Sequence, residues 1–168
     1  RTGFAGMNKR TFQNARVWRL GADVDTDALA PGAYMKHGLE VIGWHCLEAV
    51  RTDFASGVHE GDVIVAGANF GIGSSREQAA GVLRHLGLAA VIAPSYSGLY
   101  FRNAFNLGLM LLTCPEALKI EEGERVALQF EGDTPCVVRP NGQRLACAPI
   151  PGFLMDMVDA GGLLPLLK

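Results

Sequence analysis

Ser74, Ser75 and Arg76 stand in a row behind Gly67, Gly71 and Gly73, in GANFGIGSSREQAAGVLRHLG. Two hydroxyls beside a guanidinium can hold a carboxylate or a phosphate, and a hydroxyl held against a cation can pass a proton. The glycines let the backbone turn sharply and let a ligand approach closely. Behind them Ala79, Val82, Leu83 and Leu86 recur at i, i+3, i+4 and i+7, one apolar face of a helix expected over Ser75 to Leu86. Ser74 and Ser75 are then N-cap candidates, and a helix N-terminus adds unpaired N–H groups and partial positive charge. The plainer reading is that a serine merely caps the helix. Against it, capping uses one hydroxyl of two, and an arginine in a first turn opposes the dipole unless an anion offsets it.

Other constellations are weaker. Asp23, Asp25 and Asp27 alternate in DVDTDALAPG, a pattern of solvated turns or calcium loops, but no glutamate follows at the loop spacing and Pro31 breaks the segment. Cys46, Cys114, Cys136 and Cys147 form no CxxC or Cys/His pair at metal spacing and read as buried thiols; His45, adjacent to Cys46, points elsewhere on a helix. No metal ligand set is expected.

The elements that position the serines follow from periodicity. Val63–Val65 is a short buried strand before the glycine turn, and Ala89–Ala93 is another just after the helix, so the order is a parallel βαβ unit. Pro94 ends it, and a helix follows over Ser97–Leu107 with Tyr100, Ala104 and Leu107 facing the core. Upstream, Thr11–Leu20 reads as the first strand, Pro31–Gly38 as an exposed loop suited to specificity residues, and Leu39–Val50 as a helix. Downstream, Val126–Phe130, Cys136–Arg139 and Arg144–Ala148 are strands, the last two joined at Pro140–Gly142, with a helix over Phe153–Ala160. The fold class is α/β, one domain over residues 7–168; Arg1–Gly6 reads as a non-native leader.

Three stretches carry a resemblance. Asn69–Ala79 is similar to N-F-G-x-G-S-S-R-E-[HQ]-A, Asp23–Met35 to D-x-D-T-D-x-I-x-P-x-x-Y-L, and Val91–Leu109 to V-I-A-x-S-F-A-R-I-F-Y-R-N-A-x-N-x-G. These are signatures of the aconitase swivel-domain family, a separate small subunit in isopropylmalate dehydratase and related hydro-lyases. The resemblance implies an aconitase swivel-type domain, layered β/β/α with a mixed sheet and the βαβ unit around the GSSRE turn. It implies Ser74 as catalytic base, Ser75 and Arg76 as contacts to a substrate carboxylate, and Asp27 at the edge of the active site. Lys36 stands where the family has an arginine that reads the substrate's variable end, and Gly98 where it has the arginine of S-F-A-R. No cofactor would be bound by this chain; a [4Fe–4S] cluster is expected in a large catalytic subunit, without which the chain is inactive. The reaction implied is dehydration and rehydration of a 2-hydroxy di- or tricarboxylic acid, first 3-isopropylmalate/2-isopropylmalate in leucine biosynthesis. Homoaconitate, citraconate/methylmalate or dimethylmalate are alternative substrates.

Composition sets the remaining bounds. The chain has 168 residues, 49% hydrophobic and 19% charged, enough for a packed core. With a net charge of −2 and scattered cations it offers no basic face for nucleic acid. No apolar run has membrane-spanning length, so the default address is cytoplasmic. A rival of another class is a free-standing anion- or nucleotide-binding module, although GANFGIGSSR has neither the spacing of GxGxxG nor the Lys-Ser/Thr ending of a P-loop.

Overall fold

The computed structural model describes residues 11–168, and the expectation for Arg1–Gly6 lies outside them. Among the described residues seven strands form one mixed sheet in the order β4-β3-β2-β1-β5-β6-β7. They are β1 (Phe12–Arg19), β2 (Val63–Val65), β3 (Ala90–Ala93), β4 (Leu111–Thr113), β5 (Arg125–Glu131), β6 (Thr134–Val138) and β7 (Arg144–Ala146). The first four run parallel, and β5 to β7 antiparallel.

The two halves differ as their residues require. Every residue of β2 and β3 is fully buried, the continuous apolar run of a strand covered on both faces. In β5 Val126 and Leu128 are buried while Arg125 and Glu131 are exposed, the alternation of a sheet with one wet face. The two ends of the sheet meet, because the Ala148 N–H just beyond β7 donates to the Thr113 carbonyl of β4 (2.9 Å).

Helices cross between the parallel strands: α1 (Thr26–Leu29), α2 (Leu39–Trp44) and α3 (Phe54–Gly57) between β1 and β2, α4 (Gln78–His85) between β2 and β3, and α5 (Gly98–Asn106) between β3 and β4. At the C-terminus lie α6 (Gly152–Ala160) and an unforeseen short helix, α7 (Leu163–Leu166). The helix expected to reach Val50 stops at Trp44. Leu47 takes φ +62°, its N–H donates to the Ala28 carbonyl (2.8 Å), and its side chain is fully buried, so packing against α1 outweighs helical propagation. Residues Gly32–His37 of the expected loop wind into a 3₁₀ helix. Cys46, Cys114 and Cys147 are buried, but Cys136 is only half-buried, because it lies on the outer alternation of β6.

Across the antiparallel half, Arg139 donates through Nη2 and Nε to both carboxylate oxygens of Glu124 (2.6 and 3.1 Å). These charge-assisted bonds hold the Glu124 carboxyl below its ordinary 4.5. A depressed carboxylate contributes stability above its unfolded pKa and loses it as pH falls through the folded value. In thermal melts between pH 3 and 7, Glu124→Gln should therefore lower Tm at neutral pH, and the gap from wild type should close below about pH 4.5. A gap constant across that range would mean that the pair does not couple folding to protons.

Candidate active site

Three loops meet at the C-terminal ends of β1, β2 and β3, the edge of a parallel sheet where ligands bind. Backbone hydrogen bonds stitch them together. Gly67 N–H donates to Gly21 O (3.0 Å), Asp23 N–H to Ala68 O (2.8 Å), Gly71 N–H to Val24 O (2.7 Å), and Thr26 N–H to Ile72 O (2.8 Å). On the other side Phe70 N–H donates to Ser95 O (3.1 Å) and Ser97 N–H to Phe70 O (2.9 Å).

Two glycines are obligatory at this crossing. A Cβ on Gly67 would lie 2.8 Å from the Ala22 backbone, and one on Gly71, at φ +86°, would lie 2.3 Å from Cγ of Tyr100. Asn69 and Asp23 also adopt positive φ, +64° and +60°, and are joined by an Asn69 Nδ2 to Asp23 Oδ1 hydrogen bond of 2.9 Å. Left-handed backbone at non-glycine residues is uncommon and tends to gather at functional loops.

The stitching runs as far as Ile72, and Gly73 then turns at φ +101°, so α4 does not begin until Gln78. This corrects the expected start at Ser75. Ser74 and Ser75 precede the helix in irregular chain, Glu77 occupies the N-cap position, and no side chain caps it. Both serines are exposed, and neither hydroxyl has a partner among the described residues. The dipole reaches little beyond the first turn, so the local positive charge comes mainly from Arg76.

Arg76 is anchored. Its Nη1 donates to Asp27 Oδ1 (3.2 Å) and to the Ala30 carbonyl (2.9 Å), and its side chain retains 22% exposure. The remaining guanidinium nitrogens have no protein partner among the described residues, leaving a free edge suited to a carboxylate. The same Asp27 oxygen accepts from Gly32 N–H (2.9 Å), tying the 3₁₀ segment to Arg76. The alternating aspartates thus have separate tasks: Asp23 binds Asn69, Asp25 caps α1 by accepting from Ala28 N–H (2.8 Å), and Asp27 orients Arg76.

The cleft is shallow and open. Thr26 and Gly71, both buried, form its floor, and Gly73, Ser74, Ser75, Arg76, Ser97, Leu99 and Asn103 line the rest. Sequence reasoning did not single out Thr26, Ser97 or Asn103. Asn103 lies three residues after Tyr100, at the flank of a face read only as core. Tyr100 also lines the cleft, but its hydroxyl donates to the Ala79 carbonyl (2.9 Å) and burial pushes it well above the ordinary phenol range, so it is not a base.

Lys36 is exposed on the 3₁₀ helix and is not among the residues lining the cleft. Its segment is anchored by Tyr34, whose ring stacks on His45 at 3.7 Å between centroids. Gly98 opens α5 with no atom within 4 Å of a Cβ, so no neighbouring group crowds the space left by an arginine there. Among the described residues no three His, Cys, Asp or Glu side chains gather as a metal set, and no helix is long and apolar enough to cross a membrane.

The aconitase C-terminal domain model matches residues 33–117. The chain is 42% identical over 151 residues to a 3-isopropylmalate dehydratase small subunit of Methanosarcina mazei, covering 89% of this chain and 92% of the relative. It is 41% identical over 165 residues to small subunit 1 of the same enzyme from Methanopyrus kandleri, covering 95% and 94%. The crystal structure of a 3-isopropylmalate dehydratase chain from Methanocaldococcus jannaschii superposes with a TM-score of 0.86 at 36% identity, covering 94% of this chain and 93% of that one.

Proposed function

The chain belongs to the aconitase C-terminal domain family, as a small subunit of the 3-isopropylmalate dehydratase type, and from that premise we propose that it supplies the proton-transfer and carboxylate-binding half of a hydro-lyase site. The reaction is the interconversion of 2-isopropylmalate and 3-isopropylmalate by loss and return of water, in leucine biosynthesis, in the cytoplasm. The observation that carries this reading is the cleft itself: two unpartnered hydroxyls and a guanidinium already oriented by Asp27, all open to solvent on one side. A site so exposed is half of one, and a large subunit provides the other half.

Ser74 takes the proton from the substrate carbon and returns it in the reverse direction. Ser75 and the free edge of Arg76 hold a carboxylate, and Asp27 keeps that arginine in place. No residue of this chain would hold the metal; a [4Fe–4S] cluster held by the large subunit would supply Lewis acidity toward the substrate hydroxyl. A serine does not ionise at neutral pH unaided, and α4 begins too late to help much, so Arg76, exclusion of water on assembly and the partner's charges must assist it.

Reconstitution tests the reading. Mixed with a cluster-loaded large subunit, the chain should produce the unsaturated diacid, followed by its ultraviolet absorbance, whereas either protein alone should not. Turnover by the isolated chain, or none by the assembled pair, would overturn it.

For specificity, the exposed position of Lys36 makes its role depend on closure by the large subunit. Lys36→Leu should raise kcat/KM for branched aliphatic substrates relative to those with a distal carboxylate, by about 0.8 kcal/mol per methylene newly buried, or some fourfold. An unchanged ranking across isopropylmalate, methylmalate and homoaconitate would show that this segment does not read the substrate.

A further inference from the structure

We propose that Thr26 is a further substrate-positioning residue, whose hydroxyl donates a hydrogen bond to a carboxylate of the bound hydroxy acid from the floor of the cleft. The inference rests on the function proposed above and deepens it.

Thr26 is 3% exposed and lines the cleft, yet its hydroxyl has no hydrogen-bond partner among the described residues. Its backbone is committed elsewhere: the N–H donates to Ile72 O (2.8 Å) and the carbonyl accepts from Ala30 N–H (2.9 Å). The neighbouring aspartates are committed too, Asp25 to the cap of α1 and Asp27 to Arg76. In this segment the Thr26 hydroxyl is therefore the polar group left over. Although the residue is buried, its hydroxyl is not one of the fully enclosed polar atoms without a partner, so the little exposure Thr26 keeps reaches that oxygen and a ligand in the cleft can meet it.

The direction of that hydroxyl follows from Gly73. A Cβ built on Gly73 would lie 3.2 Å from Thr26 Oγ1, so the hydroxyl faces the turn that carries Ser74 and Ser75, where glycine leaves it uncovered. A β-branched side chain is stiff at χ1, and with both backbone groups bonded Thr26 can present the hydroxyl at little further cost in order. The chemistry it meets there is set by Arg76, which draws an anion to the same cleft. A hydroxyl donor beside a guanidinium suits a carboxylate, which can accept from both.

Thr26→Val removes the hydroxyl and preserves the shape. In the reconstituted enzyme it should raise KM roughly tenfold, the loss of one hydrogen bond to a charged group, with kcat within about twofold. Thr26→Ser should stay near wild type. A competitive dicarboxylate inhibitor should weaken more than its monoamide in Thr26→Val, a difference that a merely structural role would not produce. If Thr26→Val lowers Tm or prevents assembly, Thr26→Ala is judged by the same KM and inhibitor criteria. Unchanged KM, or equal weakening of both inhibitors, would overturn the proposal while the hydro-lyase reading stands. An inactive wild-type pair would overturn both.

Discussion

Ser74→Ala should lower kcat of the reconstituted enzyme by about a thousandfold, within the range for losing a positioned general base, and should leave KM within a few-fold. The split follows from the role: a proton transfer that exists only in the transition state contributes nothing to ground-state binding. What makes the experiment clean is the start of α4 at Gln78. A serine serving as N-cap would cost about 1 kcal/mol when replaced by alanine. An exposed serine with no hydrogen-bond partner should cost less than about 0.5 kcal/mol. Thermal melting of the isolated chain therefore separates the two roles: an unchanged Tm with lost turnover supports the base, and a lowered Tm with mild kinetic loss returns Ser74 to capping. Arg76→Lys gives the contrasting signature. Lysine keeps the charge but loses the fork and its fit to Asp27 and Ala30, so KM should rise along with any fall in kcat.

How much of this was legible in the residues depends on the range of the interactions concerned. Val63–Val65 and the β3 run announce buried parallel strands because their side-chain pattern is local, and the motifs around Asp23, Asn69 and Val91 carried the family. The late start of α4 was not legible. It is imposed by residues almost fifty positions upstream, where the Thr26 N–H donates to Ile72 O and Val24 O accepts from the Gly71 N–H, and a glycine-serine stretch does not reveal that its backbone is already spoken for. The exit of the chain at Leu47 has the same origin, a contact to Ala28 nineteen residues upstream, whereas the winding of Gly32–His37 is anchored locally, by the Gly32 N–H bond to Asp27. Site residues were found where a side chain carries obvious charge or nucleophilicity. Thr26 and Asn103 were missed because a threonine in a turn and an asparagine beside a core face have ordinary structural explanations until the cleft is seen.

Gly71→Ala should be the most damaging small substitution in the site. Its Cβ would stand 2.3, 2.5 and 2.7 Å from atoms of Tyr100, against which no real contact is that short. Tyr100 cannot retreat easily: it is 2% exposed, its hydroxyl is bonded to Ala79 O, and its ring packs edge-on against Phe70 at 5.4 Å. Moving the loop instead would break the Gly71 N–H bond to Val24 O and with it the seam between the loops. Overpacking costs about 1–3 kcal/mol, and a left-handed φ of +86° adds roughly 1–2 for a residue with a Cβ. Together these give about 4 kcal/mol, or a fall in Tm of roughly 10 °C for a chain of this size. Activity after reconstitution should fall too, because Ser74 and Thr26 are carried by the segments that Gly71 joins. Gly98→Ala is the internal control. Nothing lies near its Cβ and it sits in α5, so alanine should be neutral or stabilising by up to about 1 kcal/mol. If Gly71→Ala melts within 2 °C of wild type, the loop can back away from Tyr100, and the close approach of the two is not what fixes the serine turn.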